Sequence, residues 1–252
     1  MHEPATLTIT APIATLTLSR PEARNALSID LLQAMHARID ELTHRIAFSS
    51  DVHVVILTGA GKSFCAGMDL KQVLDTPGAP LQLLTLLSTF TVKLRMLGAV
   101  TIAAVNGAAI GGGCGLATVC DLAITHADSK MGFPEVDLGV CPAVVAPWLV
   151  RKIGAGRARA ILLRGGLMSG REALAAGIVN ECVETLDELD TAVQRLATRL
   201  AVGGPNALRA TKVLLNELDG SLDAAMANRG AEISAGVLAT PEAQAMLRAK
   251  LG

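Results

Sequence analysis

Three observations predict an α/β fold for this 252-residue chain. Short β-branched runs recur along the first 200 residues, stretches with apolar residues at every third or fourth position follow them, and further on only the helical spacing persists. That change places a boundary near 200, giving an alternating core over 1–200 and a helical region over 201–252.

The elements follow in order. Thr6–Thr10 and Ile13–Leu18 alternate apolar and polar residues around Ala11-Pro12, the pattern of two antiparallel strands and a tight turn. From Ser28, a candidate N-cap, Leu31, Met35, Ile39, Leu42 and Ile46 mark an amphipathic helix, with His36 and His44 expected on its polar side. Val52–Thr58 and Thr101–Val105 have the composition of buried strands. Strands are also expected over Val119–Thr125 and Lys130–Phe133, and helices over 143–153, 156–163, 170–176 and 187–202. After Pro205 the pattern is helical, broken near Asp219-Gly220 and ending in Pro241–Leu251.

Composition narrows the function. Half the chain is apolar (51%), yet the aromatics are Trp148 and four Phe, with no Tyr, so the core is aliphatic and platforms for stacking bases are scarce. Lys and Arg number 22 against 23 Asp and Glu, with no basic run, which argues against nucleic acid as a partner. Cys65, Cys114, Cys120, Cys141 and Cys182 form no Cys-x-x-Cys pair and fit reduced thiols in the cytoplasm. The longest uncharged apolar run, Ala99–Cys120, holds Asn106 and five glycines, which suits a soluble core better than a bilayer. No membrane association is expected.

Several motifs fail. Gly59-Ala60-Gly61-Lys62-Ser63 lacks the first glycine of a phosphate loop, because Ile56 stands there. Leu116 occupies the third-glycine position of a dinucleotide fingerprint begun at Gly111 and Gly113. The chain has no Gly-x-Ser-x-Gly elbow, and its five His lack metal-ligand spacing, so no metal is expected.

Two glycine-bearing turns survive, Ser63–Leu70 and Asn106–Gly115, each after a buried strand and each able to present backbone N–H groups to an oxyanion. Phe133-Pro134-Glu135-Val136 adds a carboxylate among apolar neighbours, where desolvation raises its pKa toward an acid–base range.

These motifs, together with Arg20–Leu27 and Ser169–Ala173, resemble the enoyl-CoA hydratase/isomerase (crotonase) family over nearly the whole chain. The resemblance implies a spiral of repeated ββα units, a helical C-terminal region that builds trimers or hexamers, and a CoA-thioester substrate with no separate cofactor. It implies an oxyanion hole from the N–H groups of Met68 and Gly112, with Glu135 moving protons. CoA contacts are implied at Arg24, Ala26, Ala66, Asp69 and Leu70, with Arg24 the natural phosphate or ribose partner.

One departure stands out. Relatives that resemble the liver-type hydratase carry a first glutamate where this chain has Gly115. A single carboxylate suffices for the 1,3-proton shift of a Δ3-Δ2-enoyl-CoA isomerase, or for concerted hydration. Gly139–Pro147 in turn resembles hydratases of branched or carboxylated enoyl-CoAs. Hydration is therefore the leading expectation and isomerisation the alternative. Decarboxylation, thioester hydrolysis and a non-catalytic CoA-binding protein stand behind them, and Asp75 and Asp137 are the candidates for a distant second acid.

Overall fold

The computed structural model of the chain describes residues 3–76, 78–221 and 224–251. Strands β1 (Ala5–Thr10) and β2 (Ile13–Leu18) pair antiparallel, Ala5 opposite Leu18 and Thr10 opposite Ile13, and the alternate residues Ala14, Leu16 and Leu18 are buried. Helix α1 (Ile29–Phe48) begins as its sequence predicts: the Ser28 hydroxyl accepts from the Leu31 N–H at 3.2 Å, and Leu31, Met35, Ile39, Leu42 and Ile46 are buried. A cap of this kind contributes about 1 kcal/mol.

Three turns of a spiral follow, and each sends one strand into a large sheet and the next into a small one before a helix closes the turn. The first turn comprises β3 (Val54–Gly59), β4 (Ser63–Cys65), α2 (Leu70–Asp75) and α3 (Ala79–Met96). The second comprises β5 (Val100–Val105), β6 (Ala108–Ile110) and α4 (Gly112–Val119). The third comprises β7 (Leu122–His126), β8 (Lys130–Gly132), a 3₁₀ turn at Val136–Leu138 and α5 (Ala146–Ile153). Then come α6 (Ala155–Arg164), β9 (Leu167–Ser169), α7 (Gly170–Ala176), β10 (Glu181–Val183) and α8 (Leu186–Ala201).

The large sheet has the order β1-β2-β3-β5-β7-β10 and is parallel from β2 onward; the small one runs β4-β6-β8-β9. Parallel strands need cover on both faces. One face of the large sheet packs on α8 through Val54, Ile56, Ile102 and Ile124 against Leu189 and Val193, while the other joins the main core. Helices α9 (Pro205–Leu218), α10 (Ala224–Leu238) and α11 (Pro241–Leu251) complete the chain. Helix α10 lies along α3, and α11 meets α2 and the 3₁₀ turn. Among the described residues, no helix is long and apolar enough to cross a membrane.

Four details differ from the sequence reading. Val119 ends α4 instead of starting a strand, because the small apolar residues Gly112–Val119 are all buried and continue helically until Cys120-Asp121. Helix α5 starts at Ala146, not 143, with Pro147 in its first turn. His36 faces α3: its Nε2 lies 2.9 Å from the Leu86 carbonyl and its ring stands edge-on to Phe90. His44 is exposed as expected. Helix α3 was not anticipated, although Leu83, Leu87, Phe90 and Leu94 repeat at helical spacing and are buried.

Candidate active site

The segment Arg24–Leu27 runs beside the first glycine turn. Leu27 N–H donates to the Gly67 carbonyl at 2.7 Å, Asp69 N–H donates to the Leu27 carbonyl at 2.9 Å, and Ala66 N–H donates to the Arg24 carbonyl at 3.0 Å. Leu27 thus forms a parallel bridge with Met68 and uses the groups on either side of it. The Met68 N–H is turned away from this ladder and has no acceptor among the described residues.

The second turn provides a matching donor. Gly111 sits at φ +55 as the N-cap of α4, and its N–H donates to the Gly132 carbonyl at 2.8 Å. A Cβ on Gly111 would lie 2.9 Å from Glu135 Oε1, so both the conformation and the close approach require glycine. Gly112 follows at the first helical position, where an α-helix leaves its N–H unpaired. No acceptor for it is found among the described residues.

Met68, Gly112 and Glu135 line one cleft with Leu84, Leu87, Val144 and Val145. Its open volume is about 20 Å³, space for a single water. Glu135 is held by its own backbone, whose carbonyl accepts from Leu138 and Val140 N–H at 3.0 and 2.8 Å. Its side chain is 8% exposed and Oε2 has no hydrogen-bond partner. Burial pushes the carboxyl up to about 7, opposed by a hydrogen bond from its own backbone. Among the described residues, Glu135 is the single carboxylate in the lining of this cleft.

The place of Gly115 is filled. A Cβ there would overlap the Val145 side chain, with Val145 Cβ 2.9 Å away. Gly115→Ala is expected to destabilise the fold by about 1–3 kcal/mol through overpacking against a stiff β-branched neighbour. In a Val145→Ala background the same change is expected to cost less, because the Cγ methyl groups are gone while the Cβ at 2.9 Å remains, and the helix-propensity gain of about 1 kcal/mol offsets part of the strain. Urea denaturation of the four proteins checks this, and equal costs in both backgrounds would contradict the contact.

The other candidate residues gather along the Arg24–Leu27 ladder. Arg24 is exposed, in the left-handed conformation at φ 53, and Ala26, Ala66 and Leu70 are partly buried beside it. Asp69 is already engaged: it caps α2 through Gln72 N–H at 3.3 Å and pairs with Arg20 at 3.3 Å. Arg20 and Asn25 carry structural work that the sequence reading did not assign. Arg20 also donates to the Ala26 carbonyl, and the buried Asn25 amide donates to the Ala60 and Ser63 carbonyls at 2.9 and 2.8 Å. Of the distant acids, Asp137 accepts from Gly166 N–H at 2.8 Å and Asp75 is exposed at the end of α2, and neither lines the cleft.

Helix α10 of the same chain lines one side of the cleft. Ser234 on α10 donates to the Cys141 carbonyl at 2.7 Å and accepts from Ala143 N–H at 3.2 Å. Gly230 lets α10 approach so closely that a Cβ would lie 2.5 Å from the Ala143 carbonyl oxygen.

Residues 8–244 match the family model described as enoyl-CoA hydratase/isomerase. The chain is 35% identical over 219 residues to the short-chain-enoyl-CoA hydratase of Clostridium acetobutylicum, covering 85% of this chain and 82% of the relative. It is 34% identical over 206 residues to the 2,3-dehydroadipyl-CoA hydratase of Escherichia coli, covering 80% and 77%. The crystal structure of an enoyl-CoA hydratase from Mycobacterium avium superposes with a TM-score of 0.86 at 29% identity, covering 100% of this chain and 97% of that one. The spiral, the paired glycine turns and these matches agree, and the chain belongs to the enoyl-CoA hydratase/isomerase family.

Proposed function

We propose that the protein adds water across the 2,3 double bond of an enoyl-CoA thioester, using Glu135 as its proton carrier. The carrying observation is the pair of unpartnered N–H groups, Met68 and Gly112, that share a cleft with a buried carboxylate. Ionised Glu135 takes a proton from water as the hydroxyl oxygen bonds to C3. The C2–C3 π electrons move toward the thioester, and the two N–H groups hold the negative charge on its oxygen. Glu135 then returns the proton to C2. Relatives named as hydratases support this reading.

Arg24, Ala26, Ala66, Asp69 and Leu70 are assigned to the CoA portion, with Asp69 acting through the turn it shapes and not through a free carboxylate. Self-association into trimers or dimers of trimers belongs to the same reading, since Val213, Leu214, Leu215 and Leu218 expose an apolar face on α9.

A second reading is favoured by Val145. With its methyl groups where a second acid would project, the cleft holds one carboxylate among the described residues, which is all that moving a proton from C4 to C2 requires. A panel of 2- and 3-enoyl-CoAs turned over in ¹⁸O-labelled, deuterated water separates the two. Incorporation of ¹⁸O at C3 is the expected result, and deuterium exchange without oxygen uptake would replace hydration by isomerisation.

A further inference from the structure

A second cavity, of about 250 Å³, lies at the opposite end of α4 from Gly112, lined by Arg95, Asp121, Arg151, Lys152, Asn180 and Asp219 among others. Its two carboxylates are already neutralised. Asp121 pairs with Lys212 at 2.8 Å and Arg95 at 3.4 Å, and Asp219 pairs with Arg95 at 2.6 Å. Four cations therefore meet two carboxylates, and Arg151 and Lys152 form no ion pair among the described residues. Arg151 lies over the Trp148 ring and donates to the Asp219 and Gly220 carbonyls at 3.2 and 2.7 Å. Lys152 spends one of its three protons, on the Cys120 carbonyl at 3.1 Å. Carbonyls satisfy donors and supply dipoles, but they do not cancel a full charge.

The unused groups facing this cavity are donors. Lys152 keeps two protons, and the Asn180 amide accepts from Ala123 N–H at 2.9 Å while its NH₂ stays free among the described residues. Burial also holds the Lys152 ammonium below the ordinary lysine range, against the opposing pull of nearby Asp121. Excess positive charge and spare N–H groups around a half-open, largely polar cavity together specify an oxyanion with many acceptor atoms.

We propose that this cavity is a binding site for a small dianion of the phosphate class, separate from the acyl cleft. Lys152 and Arg151 supply its charge, and the Asn180 amide fixes its orientation. The site stands whichever reaction the cleft performs.

The test is isothermal titration of the full-length protein with inorganic phosphate at constant ionic strength, together with Lys152→Gln and Arg24→Gln. The expected result is one saturable phosphate per chain in the wild type and in Arg24→Gln, and at least tenfold weaker binding in Lys152→Gln. The Arg24 variant separates this cavity from phosphate caught where CoA is proposed to sit. Phosphate should also raise the melting temperature of the wild type more than that of Lys152→Gln. If Lys152→Gln does not fold, Arg151→Gln, on the more open side, is read in the same way. No saturable uptake by the wild type, or equal affinity in wild type and the Lys152 or Arg151 variant, overturns the proposal.

Discussion

Glu135→Gln is expected to lower turnover at least 100-fold while CoA-thioester affinity stays within a few-fold, because the change removes a proton carrier and keeps the shape of the side chain. The wild-type rate should rise with pH through about 7, where the buried carboxyl ionises, and this limb should vanish in the variant. Stability should move the other way. The carboxyl ionises near 4.5 when unshielded and near 7 in the fold, so its neutral form is favoured by folding. That contribution is fully present below about pH 4.5 and is lost as pH rises through 7, for a total of roughly 3 kcal/mol. Gln carries no such penalty. The variant should therefore melt higher than the wild type at pH 8.5 and at the same temperature near pH 4.5. Near-normal turnover, or a melting difference independent of pH, would contradict the assignment.

Gly112→Val is expected to cost at least 100-fold in turnover by obstructing the approach of the thioester oxygen to its own N–H; a preorganised donor of this type contributes about 3–4 kcal/mol. The variant also has a packing cost. A Cβ on Gly112 would lie 2.9 Å from Leu27 Cδ1 and 3.1 Å from Leu87 Cδ2, both tips of flexible side chains. The fold should survive with a cost of about 1–3 kcal/mol. Gly112→Ala, with the same Cβ and no branch, isolates the packing cost. Calorimetry and steady-state kinetics on the three proteins test the point: a folded valine variant with ordinary kcat/KM would place the oxyanion donor elsewhere.

Local patterns were the legible part of the chain. The β1–β2 hairpin, the Ser28 cap and the buried stripe of α1 follow from residues within a few positions of one another, and so does the prolyl-linked Glu135. The Val119 boundary was not legible, because a buried helix and a buried strand of small apolar residues join without a change in period. The Met68 donor is set by pairing with Leu27, some forty residues earlier in the chain. The apolar filling beside Gly115 comes from Val145, thirty residues later. The pairing of Asp69 with Arg20 was not legible either, since Arg20 lies some fifty residues earlier, ahead of the spiral.

The bond from Ser234 to the loop at Cys141 also bears on the order of events during synthesis. The sheets, the glycine turns and Glu135 all precede α9, so a nascent chain can wind its spiral while α10 is still inside the ribosome. Its cleft stays open to water until Gly230 and Ser234 emerge and dock. The lining of the cleft is thus complete only once α10 has left the ribosome and docked on the loop at Cys141.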